Sequence, residues 1–215
     1  MLTAALSKRS QVAFGIEESD PEVVPPPGVV GKVEKTMPDL TARFRFTEGR
    51  GHVQLSGFVG QFRFRPTVGD PTDVTIGAVL VSARFGPVGS DAAYAQVAYG
   101  PGLGRYRGAV SASPDTSGRL RAVQSLGLTV GYERYWSTRW SSNVVVSPVW
   151  ILSDLGDPAS TNDRLNYVAV NLLYWFLPKR AWTGVEYLYG LREVRSGARG
   201  TANRIQFAVR FNILD

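Results

Sequence analysis

RIQFAVRFN, residues 204–212, is the stretch whose reading decides the fold: apolar residues occupy every second position along it. Ile205, Phe207, Val209 and Phe211 fall on one side of an extended chain, and Arg204, Gln206, Ala208, Arg210 and Asn212 on the other. A repeat of two is that of a β-strand, whose successive side chains point to opposite faces. The same division recurs upstream. Leu40, Ala42, Phe44 and Phe46 oppose Thr41, Arg43, Arg45 and Thr47. Leu126, Leu128, Val130 and Tyr132 oppose Ser125, Thr129 and Glu133, and Val185, Tyr187, Tyr189 and Leu191 oppose Glu186 and Arg192.

Outward from these four segments, the alternation and its Gly, Pro, Asp and Ser punctuation mark about ten strands. They cover residues 10–17, 39–47, 52–65, 73–85, 91–100, 120–136, 140–153, 163–176, 181–194 and 201–212. Helical periodicity is almost absent. The connections alternate between long (18–38, 66–72, 101–119, 154–162, 195–200) and short (48–51, 86–90, 137–139, 177–180). This is the pattern of an all-β, antiparallel transmembrane β-barrel meander with tight turns on one side of a membrane and longer loops outside. Residues 1–215 are expected to form a single barrel domain, with long extracellular loops near 18–38, 101–119 and 154–162, and PEVVPPP (21–27) inside the first of them. An even strand count would place both chain ends on one side.

Alternation alone does not separate a lipid-facing surface from a soluble core. Strand length and tryptophan placement favour lipid. About 9–11 tilted residues cross a bilayer, whereas soluble strands average about 5–6. Trp136 and Trp140 flank one short turn, and Trp175 and Trp182 another. Amphipathic rings settle at the headgroup level, so these four are expected to form a membrane-interface aromatic girdle. Core tryptophans near hairpin ends are the competing reading.

Composition excludes much else. Hydrophobic residues make up 44 % of the 215, so a packed structure is expected rather than disorder. The absence of cysteine removes disulfides, thiolate metal sites and thiol nucleophiles. With one histidine, a zinc site is not expected, and no metal or cofactor is assigned. No apolar run reaches the ~18–20 residues of a membrane helix. MLTAALSKRS (1–10) lacks the features of a signal peptide, so an exported chain of this sequence is expected to have lost its leader or to continue upstream. His52 as a hydrolytic base would need a serine in reach, and Ser56 stands about 13 Å along the same strand; a polar residue at the barrel rim is the plainer reading. GPGLG (100–104) is read as a glycine-rich turn rather than a phosphate loop, because no helix pattern follows. Glu133 and Glu186 lie on non-neighbouring strands, and lumen salt bridges suit them better than a glycosidase pair. No catalytic residue is assigned.

The formal charge is +6, carried almost wholly by arginine. Arg43, Arg45, Arg84, Arg192, Arg204 and Arg210 fall on the polar face; with Glu133, Glu186 and Gln206 they are the expected pore-lining set. Guanidinium stays charged and grips carboxylates with paired hydrogen bonds, so a ladder of arginines favours anions. Charge balance against Glu17, Glu133 and Glu186 is the alternative. The basic residues form no aromatic-interleaved patch, so nucleic acid is not an expected partner. Outer-membrane lipid and small anionic solutes are. A lipid-modifying barrel hydrolase, a small closed barrel without transport activity and a soluble β-barrel binding protein remain as rival readings.

The stretch WTGVEYLYGLREVRSGARGTANRIQFAVRF (182–211) resembles the ending of DcaP-type outer-membrane porins. Gly184, Glu186, Tyr187, Tyr189, Gly190, Arg192, Glu193, Ala202, Asn203, Arg204, Gln206 and Phe207 carry the match, with weaker echoes in GHVQL (51–55), YGPGLGRY (99–106) and GYERYW (131–136). The resemblance implies a trimeric, bacterial outer-membrane porin admitting small anions such as dicarboxylates. It also implies a barrel of about sixteen strands, of which this chain is the C-terminal portion.

Overall fold

A computed structural model of the chain describes residues 1–86, 89–107, 110–115, 117–153, 159–178 and 180–212. Its strands are β1 (Leu2–Ala5), β2 (Ser10–Glu17), β3 (Gly31–Glu48), β4 (Gly51–Pro66), β5 (Thr72–Phe85), β6 (Ala92–Pro101), β7 (Ala112–Pro114), β8 (Leu120–Ala122), β9 (Gln124–Tyr135), β10 (Trp140–Ile151), β11 (Asn162–Leu177), β12 (Ala181–Val194) and β13 (Arg199–Phe211). A four-residue helix, α1 (Gly104–Arg107), follows β6. Eleven strands form one sheet in the order β1-β2-β3-β4-β5-β6-β9-β10-β11-β12-β13, every neighbour antiparallel. β7 and β8 make a separate hairpin. The sheet is not closed: β1 and β13 are its two edges. It is a meander, as alternation predicts, with three short strands the spacing did not reveal. Because the sheet holds eleven strands rather than an even number, β1 and β13 run in the same direction.

Tight turns gather at one end. Glu48 pairs with Gly51 across a two-residue turn, and Gly49 has φ +52°, a left-handed value that the hairpin turn demands and that glycine adopts without strain. At the other end the connection from β6 to β9 folds back over one face of the sheet. Gly102 N donates to Val123 O at 2.8 Å, closing the neck of this inserted segment, and a Cβ on Gly102 (φ +84°) would stand 2.3 Å from Ile76. The chain crosses β5 there at glycine distance.

Registers show which residues share a face. Gln206, Glu186, Asn171, Asn143 and Glu133 lie in one row across β13, β12, β11, β10 and β9. Ile205, Tyr187, Val170, Val144 and Tyr132 form the adjacent row on the opposite face, and each is at least partly exposed. The apolar face carries exposed Phe14, Leu40, Phe44, Leu55, Val81, Val97, Val146, Leu172 and Phe207. No second layer of described protein covers it.

The packed core sits on the polar face, under the inserted segment. Phe62, Phe64, Val74 and Ile76 of β4 and β5 pack against Ala112 and Leu120 of the hairpin, with Val23 and Val29 from the β2–β3 connection beside them. Here the strand pattern inverts. In the half of β4 next to the turn, Val53, Leu55 and Val59 are exposed while His52, Gln54 and Ser56 face inward; toward its other end Phe62 and Phe64 are buried, Arg63 is half-buried and Arg65 is exposed, both on the outer side. Arg63 pairs with Asp73 at 2.6 Å and Arg65 with Glu34 at 2.9 Å on that outer side. Before Arg63 the outward side chains of β4 are uncharged for roughly 9 residues, a length sufficient to cross a bilayer. Above that level the sheet behaves as soluble protein, apolar inside and charged outside.

Candidate polar-face site

The nine residues expected to line a pore all share one face. Arg43, Ser56, Leu80, Ala98, Gly127, Val149, Leu165 and Arg192 form one register row. Arg45 lies beside Gln54 and Ser82, and Arg84 pairs with His52 on one side and Tyr94 on the other. Arg204 pairs with Leu188, Gln206 with Glu186, and Arg210 with Trp182. Strand phase thus brings these side chains to a common surface, while their spread over five strands, from β3 to β13, prevents a single compact site.

Arg43, Arg45 and Arg84 are the concentrated part, on β3 and β5, the two strands that flank β4, around its His52, Gln54 and Ser56. Arg45 Nη2 donates to His52 Nδ1 at 2.9 Å. A guanidinium is never an acceptor, so a neutral His52 carries its proton on Nε2. The Nε atoms of Arg43 and Arg45 are out of solvent contact and have no hydrogen-bond partner among the described residues. None of the three arginines has a carboxylate partner among the described residues. Elsewhere the pattern is the reverse: Arg9–Glu48, Arg134–Asp91 and Arg195–Asp163 are paired at 2.6–2.9 Å. Three positive charges left unneutralised on one surface make an anion-attracting field.

The inserted segment overhangs the Arg43 end of this cluster. A depression of about 430 Å³ lies between Arg43, Gln54, Ser56 and Gln96 of the sheet and Leu103 and Tyr106 of the segment. Tyr106 donates its hydroxyl to Glu17 at 3.1 Å and sets its ring 5.1 Å from that of Phe58. The hairpin tip is held by one carboxylate. Asp115 accepts from the Ser117 hydroxyl at 2.6 Å, from the Arg119 and Ser117 amides and from Arg121 Nε at 3.2 Å. These donors, the Ser117 hydroxyl foremost, hold its carboxyl well below the usual carboxylate range. The hairpin is laced to the β2–β3 connection by Val24 N to Ala112 O (3.0 Å) and Ser111 N to Glu22 O (2.7 Å). Two connections therefore narrow the same end of the polar face.

Glu133 and Glu186 stand three strand spacings apart in one row, roughly 14 Å, beyond the separation a glycosidase pair needs. Among the described residues they meet amides and hydroxyls rather than salt-bridge partners. Asn143 donates to Asn171 at 2.9 Å, Asn171 to Glu186 at 3.3 Å, Gln206 also to Glu186, and Tyr135 to Glu133 at 2.9 Å. Arg192 donates to Asn162 at 2.5 Å and to the Ser160 carbonyl at 2.9 Å, which ties it to the β10–β11 connection. GPGLG leads into α1, a helix of one turn, with Gly100 and Gly102 at positive φ.

The four tryptophans expected in a girdle divide. Trp136 (63 % exposed) and Trp140 lie on the apolar face, Trp140 against Tyr174 at 4.9 Å. Trp182 pairs with Arg210 on the polar face, and Trp175 stands there with it, donating Nε1 to Ser141 Oγ at 3.0 Å. Counting by twos from Glu186 and Asn171 reaches Trp182 and Trp175, so the phase was legible in the sequence. Trp150, opposite Arg164 on the apolar face at the loop end, was not in the expected set. Ten residue steps along β10 separate Trp140 from Trp150. At about 3.3 Å per residue and a barrel tilt of roughly 40° this spans about 25 Å, the height of a lipid-facing band.

No family model matches the sequence, and no curated protein matches it. Among solved structures, the chain is similar to the outer membrane channel DcaP of Acinetobacter baumannii, with TM-score 0.82 at 20 % identity over 97 % of this chain and 60 % of that one. The NanC porin structure is matched more loosely, with TM-score 0.46 at 10 % identity over 85 % of this chain and 97 % of that one. The chain has the barrel-wall fold of the DcaP channel and spans 60 % of its length.

Proposed function

From the fold shared with an outer-membrane channel, we propose that this chain is wall and constriction of a bacterial outer-membrane porin passing small hydrophilic solutes, anions by preference. The observation that carries the reading is the Arg43–Arg45–Arg84 cluster, which has no carboxylate partner among the described residues and faces the side overhung by the inserted segment. The apolar face supplies the lipid contact, and the polar face lines water. A carboxylate solute gains charge-assisted hydrogen bonds from these guanidiniums and loses little else, because Gln54, Ser56 and Gln96 replace its water. No covalent step is required. The assembly we propose, from the resemblance of the C-terminal stretch, is a homotrimer.

Reversal potentials across planar bilayers test this. The wild-type channel should prefer anions. Replacing Arg43, Arg45 and Arg84 together by Gln should lower the anion-to-cation permeability ratio about fivefold or more. A cation preference that the triple replacement leaves unmoved would end the proposal.

A further inference from the structure

Charge is sorted along the strand axis. The five tight connections, residues 6–9, 49–50, 86–91, 136–139 and 178–180, hold six basic residues and one acidic residue. Outside the inserted segment, the opposite connections, 18–30, 67–71, 152–161 and 195–198, hold six acidic and one basic. The one acid within these tight connections, Asp91, is 4 % exposed and enclosed by Tyr132, Arg134 and the Tyr135 amide, so it offers no anionic surface; Glu48, at the adjoining end of β3, is paired with Arg9 at 2.6 Å. Arg50 donates to the carbonyls of Gly89 and Asp91, neutral partners that leave its charge in place. Lys8 and Arg139 are exposed and make no ion pair among the described residues.

On the β9–β10 hairpin the charge meets the apolar face. Arg134 lies 5.2 Å from the Trp136 ring, Arg139 is in the turn, and Trp136 and Trp140 are exposed on the side that carries Val144 and Val146. A ligand fitted to this edge has an anionic head beside an apolar tail. We infer that the tight-turn rim, centred on Arg134, Trp136, Arg139 and Trp140, binds anionic glycerophospholipid: phosphodiester against the guanidiniums, acyl chains along Val144 and Val146. A free polyanion would gain nothing from the two exposed indoles. This inference rests on the reading that the apolar face lies in a bilayer.

The test is refolding of the full chain into bilayers of equal parts phosphatidylglycerol and phosphatidylcholine, then mass spectrometry of the lipid retained on mild detergent extraction. Phosphatidylglycerol should be enriched over the bulk mixture. Lys8→Gln with Arg139→Gln should lower the enrichment by about fivefold per charge removed. Arg164→Gln, at the opposite end, should leave it unchanged. Insertion with no lipid preference, or a preference that survives the double replacement, overturns the inference and leaves the channel proposal standing. Failure to insert into any bilayer overturns both.

Discussion

Single residues carry the points where the chain tolerates only one solution. Gly102 is one. Its left-handed φ and its contact with Ile76 admit no Cβ without movement, and the inserted segment departs from β6 there. Gly102→Ala should destabilise the protein by about 1–3 kcal/mol, read as a lower midpoint in urea refolding. Asp115 is another. Its carboxylate anchors the hairpin tip, and its folded pKa is lowered, so its contribution is complete above the ordinary value of about 3.9 and fades as pH falls from there toward the folded value. Asp115→Asn should therefore expose residues 111–123 to protease at neutral pH. The wild-type segment should become cleavable, by pepsin, only in strong acid. Equal protection of both proteins at neutral pH would remove the anchoring role.

At the scale of elements, the inserted segment and the inversion within β4 belong together. Phe62 is fully buried against Ala112 and Leu120, whereas Phe207 on the apolar face is 82 % exposed. Phe62→Ala should cost about 3–5 kcal/mol and loosen the hairpin, raising conductance through the channel proposed above. Phe207→Ala should leave conductance unchanged. Single-channel recording of the two variants separates a packed constriction from a loosely draped loop. The sequence shows why this was hard to foresee. Leu103, Ala112, Leu120 and Val123 are buried apolar residues in a stretch without sustained alternation, read as part of an external loop or as the start of the next strand. Only the sheet beneath gives them a partner.

For the whole molecule, direction matters more than size. Eleven antiparallel strands leave β1 and β13 pointing the same way, so joining them directly would make a parallel pair. An all-antiparallel barrel built on this wall needs an odd number of further strands. In the chain by itself, the outer edge of β13 has no strand to pair with. Alternate amides along residues 199–211 should exchange rapidly, while those of β12, hydrogen-bonded on both sides, stay protected. Hydrogen exchange read strand by strand checks this; uniform protection of β12 and β13 would mean that the edge is covered.

Alternation with a period of two is local physics. Side chains of a pleated strand must point to opposite faces, so the sequence alone determined the meander, the separation of arginine from oily residues and even the inward phase of Trp175 and Trp182. Which arginines lack carboxylate partners was not local. Arg43, Arg45 and Arg84 meet only when β3, β4 and β5 pair in register, and Arg63 and Arg65, on the same strand as His52, are neutralised by Asp73 and Glu34 from neighbouring strands. The fold of residues 102–123 over the polar face was likewise a tertiary decision. Its apolar side chains could be hidden only by a surface that exists once β4, β5 and β10 are joined into one sheet.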